Sequence, residues 1–190
     1  VIHGNRSWTW AGTYTRCCKL ASALSKRGIG KGDTVSVLAP NIPAIFEAHF
    51  GVLMTGAVLN TLNIRLEAET LANIFEHADT KVLLTDREFS PLIKETLAKV
   101  KRKILVIDID DPETKSGEFL GELEYEDFLA EGNLDFEAVL PEDDWQAVSL
   151  NYTSETTGIP KGVVYHTRGA YLLSTENVLA WEMPNRPVYL

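Results

Sequence analysis

The sequence is poor in the residues that build metal and disulfide frameworks. Its 190 residues include two cysteines and four histidines. The cysteines, Cys17 and Cys18, are neighbours, and adjacent side chains on a helix point apart, so they make a poor structural disulfide. No Cys-x-x-Cys pair and no Cys/His cluster is present, which excludes a disulfide scaffold and a zinc module. The pair reads as small buried apolar residues of a reducing, intracellular environment. Basic charge is also scarce. Eighteen Lys and Arg face 27 Asp and Glu, a net charge of −9, and without a basic stripe a nucleic-acid partner is excluded. No hydrophobic run is long enough to cross a bilayer. The most apolar stretch, residues 50–62, is short and contains Thr, Gly and Asn, so no membrane span is expected. No signal peptide is visible, but the chain opens at Val1 directly into a strand-like stretch, so that absence carries little weight.

Hydrophobic residues make up 45% and charged residues 24% of the chain, an ordinary globular balance able to form a core. Residues 6–10 alternate and carry two tryptophans, which predicts a short strand or extended arm. Thr9 is placed to cap the helix that follows, with Gly12 where a capping-box Glu would be favoured. Tyr14, Cys17, Leu20, Ala21 and Leu24 repeat at helical spacing, and Gly28 stops the helix. The run Gly28-Ile29-Gly30-Lys31-Gly32-Asp33 resembles a nucleotide loop only superficially. It follows a helix and precedes a strand, the reverse of a phosphate-cradling glycine loop, and is read as a turn.

Residues 34–39 form a β-rich run. Pro43 then opens a helix, with Ile45, Phe46, His49, Phe50, Leu53 and Met54 on one broad face. Residues 57–60 suggest a short strand. Residues 67–78 are amphipathic, with Leu71, Ile74, Phe75 and Ala78 inward. Strands are expected at 81–85, 103–107, 147–153 and 162–166, and helices at 90–100, 125–130 and about 168–181. His49 and His77, on or near apolar helical faces, read as core or surface histidines. From residue 101 to 145 acidic residues outnumber basic ones 15 to 4, which reads as a solvated, partly mobile surface excursion. Strand–helix alternation of this kind indicates an α/β fold, a mostly parallel sheet covered by helices.

One segment is dense in chemistry: Tyr152-Thr153-Ser154-Glu155-Thr156-Thr157-Gly158-Ile159-Pro160-Lys161-Gly162-Val163. Four hydroxyls fall within five positions, each able to donate and accept. Gly158 frees the backbone to form an anion-binding nest, and Lys161 supplies a compact positive charge. The segment follows a strand end, where α/β sheets bind ligands. Chemistry alone leaves two readings, a polyphosphate site and a hydroxyl-rich turn. The spacing is not that of Walker A, because Lys161 is followed by Gly162 and Val163. A Gly-rich turn between a first strand and helix is also missing, which disfavours a generic dinucleotide-binding module.

The segment resembles the phosphate-loop signature of adenylate-forming enzymes, Tyr-Thr-Ser-Gly-Thr-Thr-Gly-x-Pro-Lys-Gly-Val. Ten of its eleven specified positions match. Upstream agreement includes Lys31-Gly32-Asp33, Ala39-Pro40-Asn41, Pro43 to Val52, Gly56-Ala57-Val58-Leu59-Asn60 and Asn63-Ile64-Arg65-Leu66. These are similar to acyl-CoA synthetases, most of all the acyl-activating enzymes of plants and their bacterial relatives. The resemblance implies that residues 1–190 are part of a large N-terminal AMP-binding domain. The rest of that domain and a small C-terminal domain with its catalytic lysine have no counterpart here. It implies activation of a carboxylic acid by ATP and Mg2+ to an acyl-adenylate, then transfer to coenzyme A. Thr153, Ser154, Thr156, Thr157, Gly158 and Lys161 would hold the outer phosphates of ATP, stabilising charge on the leaving pyrophosphate. The compartment implied is peroxisomal or cytoplasmic.

Three departures stand out. Glu155 replaces the first glycine of the signature, bringing a carboxylate towards phosphate. His166-Thr167-Arg168 stands where relatives commonly read Ser-His-Arg or His-His-Arg, leaving His166 either in an acyl pocket or at an ordinary strand end. The length is under half that of family members. An inactive, truncated homologue that acts, if at all, through interactions is therefore the alternative, and an uncovered sheet edge and apolar face are expected.

Overall fold

The computed structural model describes residues 1–153 and 160–187. The chain opens with a small antiparallel hairpin, β1 (Ile2–His3) and β2 (Arg6–Ser7). Of the strand expected at 6–10 only Arg6 and Ser7 pair, because Trp10 already begins helix α1 (Trp10–Lys26). Thr9 sets that start: its Oγ1 accepts the Gly12 N–H at 3.1 Å, satisfying one of the donors that a first turn leaves open. The helix is left through Gly28 at φ +78°, a left-handed conformation that glycine adopts without a Cβ penalty.

The main sheet has seven strands in the order β7-β6-β5-β3-β4-β8-β9. They are β3 (Thr34–Leu38), β4 (Val58–Thr61), β5 (Thr80–Asp86), β6 (Leu105–Ile109), β7 (Leu123–Glu124), β8 (Ala147–Tyr152) and β9 (Gly162–His166). All neighbours are parallel except β8 and β9, which form an antiparallel pair. The crossovers are α2 (Pro43–Met54), α3 (Ala68–His77) and α4 (Ser90–Leu97). Helix α5 (Tyr125–Ala130) follows β7, and α6 (Thr167–Ala180) follows β9.

Alternation along the strands divides the core into two layers. Val35, Val37, Val82, Leu84, Ile107 and Ile109 pack with Leu20 and Leu24 of α1, Ala48 and Val52 of α2, and Phe128 of α5. Leu38, Leu83 and Val106 pack on the other face with Leu71, Ile74 and Phe75 of α3 and Ile93 of α4. This two-sided burial accounts for the continuous apolar runs of β3, β5 and β6.

Two expectations change. The broad apolar face of α2 is not its buried face. Pro43, Ala44, Glu47, Ala48, Gly51 and Val52 are buried, while Phe50 is exposed and stacks edge-on against Phe46 at 5.3 Å. The cause is close approach of two helices: a Cβ at Gly51 would lie 2.8 Å from Leu20 Cδ2 and 3.0 Å from the Cys17 carbonyl oxygen. Small side chains therefore face α1, and His49, Phe50, Leu53 and Met54 line an outer groove of about 420 Å³ with Trp10, Tyr14 and Val139.

The acidic stretch is also only partly a surface excursion. It contributes β6, β7 and α5, and Tyr125, Phe128 and Leu129 are buried. Asp108 Oδ2 accepts the backbone N–H groups of Leu120 and Gly121 at 2.9 and 2.6 Å. Asp111 receives His3 Nε2 at 2.9 Å and Arg6 Nη2 at 3.4 Å, tying the first hairpin to the sheet. Residues 112–119 and 133–145 are its mainly exposed portions.

Glu47 has a compensating cage. Arg16 Nε donates to it at 2.5 Å and the Tyr125 hydroxyl at 2.8 Å, while the Arg16 fork also holds Glu126 at 2.6 and 2.9 Å. The network joins α1, α2 and α5. Both cysteines are buried and free, as the sequence suggested.

Candidate functional site: the turn between β8 and β9

Strand β8 runs parallel to β4, so its C-terminal end at Tyr152 shares a rim with the C-terminal ends of the parallel strands. This is the rim where open α/β sheets place ligands. The chain then returns antiparallel as β9, with Tyr152 opposite Gly162. One step further out, the Thr153 N–H donates to the Lys161 carbonyl at 3.0 Å. The Lys161 N–H in turn donates to Thr153 Oγ1 at 3.3 Å. These paired bonds close the base of the signature turn. Thr153 and Lys161 are thus brought together, both exposed. Ser154, Thr156, Thr157 and Gly158, like Glu155, lie outside the described residues.

A cavity of about 540 Å³ opens beside this base. Its walls are Asn73, Ile74 and His77 of α3 together with Tyr152, Pro160, Lys161 and Gly162. His77 Nδ1 and the Tyr152 hydroxyl share a hydrogen bond of 2.6 Å, and the rings meet edge to face at 5.8 Å. Burial raises the pKa of the Tyr152 phenol, so it stays neutral in the physiological range.

His166 is placed elsewhere. It ends β9 and caps α6, its Nδ1 accepting the Gly169 N–H at 3.1 Å with the ring against Trp145 at 4.6 Å. Five residues of extended chain separate it from Lys161, roughly 17 Å. The structure therefore does not bring His166 to the base of the turn.

Strand β8 is weakly laddered to the parallel sheet. It is in register with β4 at Leu59 opposite Ser149, whereas it pairs with β9 from Ala147 opposite His166 to Tyr152 opposite Gly162. Side chains supplement that seam. The Asn60 amide donates to the Leu150 carbonyl at 2.7 Å, and Thr61 Oγ1 donates to Asn151 Oδ1 at 3.1 Å. Asn60 is fully buried, and its Oδ1 accepts from Ser36 Oγ at 2.9 Å. Sequence reasoning did not single out Asn60 for a site, and read His77 as an ordinary histidine. Neither carries a local signal, since His77 and Tyr152 are 75 positions apart.

Residues 1–190 match, over the whole chain, the family described as AMP-binding enzyme. The chain belongs to the AMP-binding enzyme family. It is 48% identical to a peroxisomal acetate/butyrate–CoA ligase of Arabidopsis thaliana, over all of this chain and 36% of that protein. It is 44% identical to an acetate–CoA ligase of Humulus lupulus with the same coverage. The chain thus spans about a third of the length of these curated relatives. Among solved structures, an anthranilate CoA ligase in complex with anthranoyl-AMP superposes with TM-score 0.81 at 24% identity, covering 90% of this chain and 32% of that one. A long-chain-fatty-acid–CoA ligase of Archaeoglobus fulgidus gives TM-score 0.81 at 18% identity, over 98% of this chain and 35% of the other. These two likenesses establish the fold, a mostly parallel, helix-covered sheet shared with acyl-CoA ligases. No helix among the described residues is long and apolar enough to cross a membrane.

Proposed function

We propose that residues 1–190 form part of the large N-terminal domain of an AMP-forming acid–CoA ligase. The protein would join a small carboxylic acid to coenzyme A through an acyl-adenylate, at the expense of ATP. The observation that carries this reading is the signature turn at the C-terminal rim of the sheet, its base closed by Thr153 and Lys161 beside an open cavity. The relatives named above act on acetate and butyrate, so a short acid is the first substrate class to test. A trans-cinnamate:CoA ligase of Petunia hybrida at 42% identity keeps aromatic acids in the screen.

In this reading the acid's carboxylate attacks the α-phosphate, and the bond to pyrophosphate breaks. Thr153, Ser154, Thr156, Thr157 and Gly158 supply hydroxyl and backbone donors to the outer phosphates, and Lys161 supplies charge where negative charge develops. Magnesium shields the phosphates when bound. Among the described residues no cluster of three His, Cys, Asp or Glu side chains is built to hold a metal ion, so no ligand to it is assigned within this chain. Coenzyme A then displaces AMP at the acyl carbon. A peroxisomal address, borne by several relatives by name, and a cytoplasmic one are both compatible with this chemistry.

A second reading, a homologue that no longer activates acids, is favoured by one observation: Glu155 stands where the signature has glycine. Acid-dependent exchange of labelled pyrophosphate into ATP separates the two. The full-length gene product is expected to show exchange with a short-chain, medium-chain or aromatic acid, and to lose it in Lys161→Ala. Residues 1–190 alone are expected to show none. Absence of exchange from the full-length protein with every acid, despite ATP binding, overturns the ligase reading.

A further inference from the structure

We propose that Asn60 and His77 are positioning residues that seat the β8–β9 hairpin, and with it the anion-binding turn, against the parallel sheet. The inference rests on the reading of that turn as a phosphate site and adds two residues to its support.

The mechanical problem is visible in the sheet. A turn that stabilises charge at a phosphate must hold its donors within about 0.5 Å of the productive geometry. Here the turn is carried by a hairpin whose own strands are well laddered but whose seam with β4 is in register only at Leu59 and Ser149. So short a ladder resists rocking about that seam less than the fuller ladders of β3 with β4 and β5 do. Thr61 Oγ1 bridges the seam to Asn151, and two further side chains oppose such rocking, one on the sheet and one across the cavity.

Asn60 acts at the seam. Its amide reaches across to the Leu150 carbonyl, doing with a side chain what a backbone N–H does in a longer ladder. Its own orientation is fixed by Ser36 Oγ, which lies 2.8 Å from Thr80 Oγ1. Three parallel strands, β3, β4 and β5, therefore stand behind one hydrogen bond to β8. Because all three side chains are buried, an unmet amide there would be expensive, and the geometry is strongly specified.

His77 acts at the turn. It is the last residue of α3, a helix anchored in the core through Leu71, Ile74 and Phe75. Its imidazole holds the hydroxyl of Tyr152, the residue immediately before Thr153. Tyr152 also packs against the same core layer. The ring thus ties the last residue of β8 to a rigid helix, next to the bonds that close the turn's base. His77 and Asn60 touch no reacting atom in this arrangement; they act through Tyr152 and Leu150.

The test uses the full-length gene product and two readouts. The first is amide hydrogen exchange, which needs no ligand. In His77→Ala, and separately in Asn60→Leu, the Thr153 and Lys161 amides are expected to exchange about fivefold faster, the equivalent of one net hydrogen bond. The Val82 and Leu84 amides, in the centre of the sheet, should not change. His77→Gln, which can still hydrogen-bond the phenol, should restore part of the protection, and Tyr152→Phe should abolish the effect of His77→Ala. The second readout is the dissociation constant for inorganic pyrophosphate, expected to rise about fivefold in the same variants and to rise in Lys161→Ala.

Unchanged exchange at Thr153 and Lys161 in both variants overturns the proposal. So does faster exchange with no loss of pyrophosphate affinity where Lys161→Ala does lose it. If the parent chain binds no pyrophosphate, the reading of the turn is what fails, and the exchange comparison still decides whether these side chains seat the hairpin. Equal acceleration at Val82 and Leu84 would reveal general destabilisation and refute a positioning role.

Discussion

Removing the Glu47 carboxylate should destabilise the fold without touching the signature turn. The residue is 2% exposed and receives the Arg16 Nε and the Tyr125 hydroxyl. In Glu47→Ala both donors lose that acceptor. Breaking a buried ion pair from one side costs about 3–5 kcal/mol. The lower end applies here, because Arg16 keeps its two-pronged contact with Glu126. The buried phenol contributes about 1–3 kcal/mol of that loss. About 3 kcal/mol is therefore expected, or roughly 6–12 °C in melting temperature for a chain of this size. Urea titration followed by tryptophan fluorescence measures it. Tyr125→Phe should cost less, about 1.5 kcal/mol, because it removes the donor with the buried group. The double variant should fall short of the sum by about 1 kcal/mol, since the two residues share one bond. A Glu47→Ala midpoint within 1 kcal/mol of the parent, or strict additivity with Tyr125→Phe, would refute the account, taking about 1 kcal/mol as the worth of the shared bond.

Three further outcomes are expected. Burial, with the Glu47 carboxylate beside it, pushes the Cys17 thiol up to about 12; native Cys17 should resist alkylation at pH 8 and react once urea unfolds the chain, as mass spectrometry would show. Hydrogen bonding by Arg16 holds the Glu126 carboxyl below its ordinary value of 4.5. Its contribution is then fully present above 4.5 and is lost as pH falls through the lower folded value. Because Glu126 is half exposed, Glu126→Gln should flatten the acid limb of the stability profile by under about 1 kcal/mol. Finally, Glu155→Gly in the full-length gene product should raise pyrophosphate exchange by about two orders of magnitude. A carboxylate about 4 Å from a phosphate charge costs up to about 4 kcal/mol at an effective dielectric near 20, partly relieved by outward rotation. Unchanged exchange would show that the carboxylate never meets the phosphates.

Much of the fold could be read from local pattern. Leu71, Ile74 and Phe75 of α3, and Ala78 just past its end, are buried as their spacing predicts, and α5 spans Tyr125–Ala130 as expected. These elements bury apolar side chains on one clear stripe, so periodicity alone suffices. Helix α2 defeats that logic, because Gly51 is chosen for the close approach of α1 and Glu47 is buried by virtue of partners 31 and 78 positions away. The acidic stretch misled for a related reason: Asp108 is buried against the backbone N–H groups of Leu120 and Gly121, which only a folded loop brings to it, and Asp111 against His3, 108 positions away. At the turn, the family resemblance singled out Thr153 and Lys161, and the structure brings these two together. Asn60 and His77 were invisible there because their roles exist only once β8 lies beside β4 and α3.

The reversal of direction between Thr153 and Lys161 has a consequence for how such a protein can change over time. Because the segment leaves and re-enters the sheet on adjacent strands, its two ends stand about one strand spacing apart, near 4.8 Å, whatever lies between them. That spacing is set by β8 and β9 themselves. A copy that has lost its chemistry and one that retains it would fold alike, so selection on folding alone would not purge the first. Only a measurement at the phosphates can tell such siblings apart.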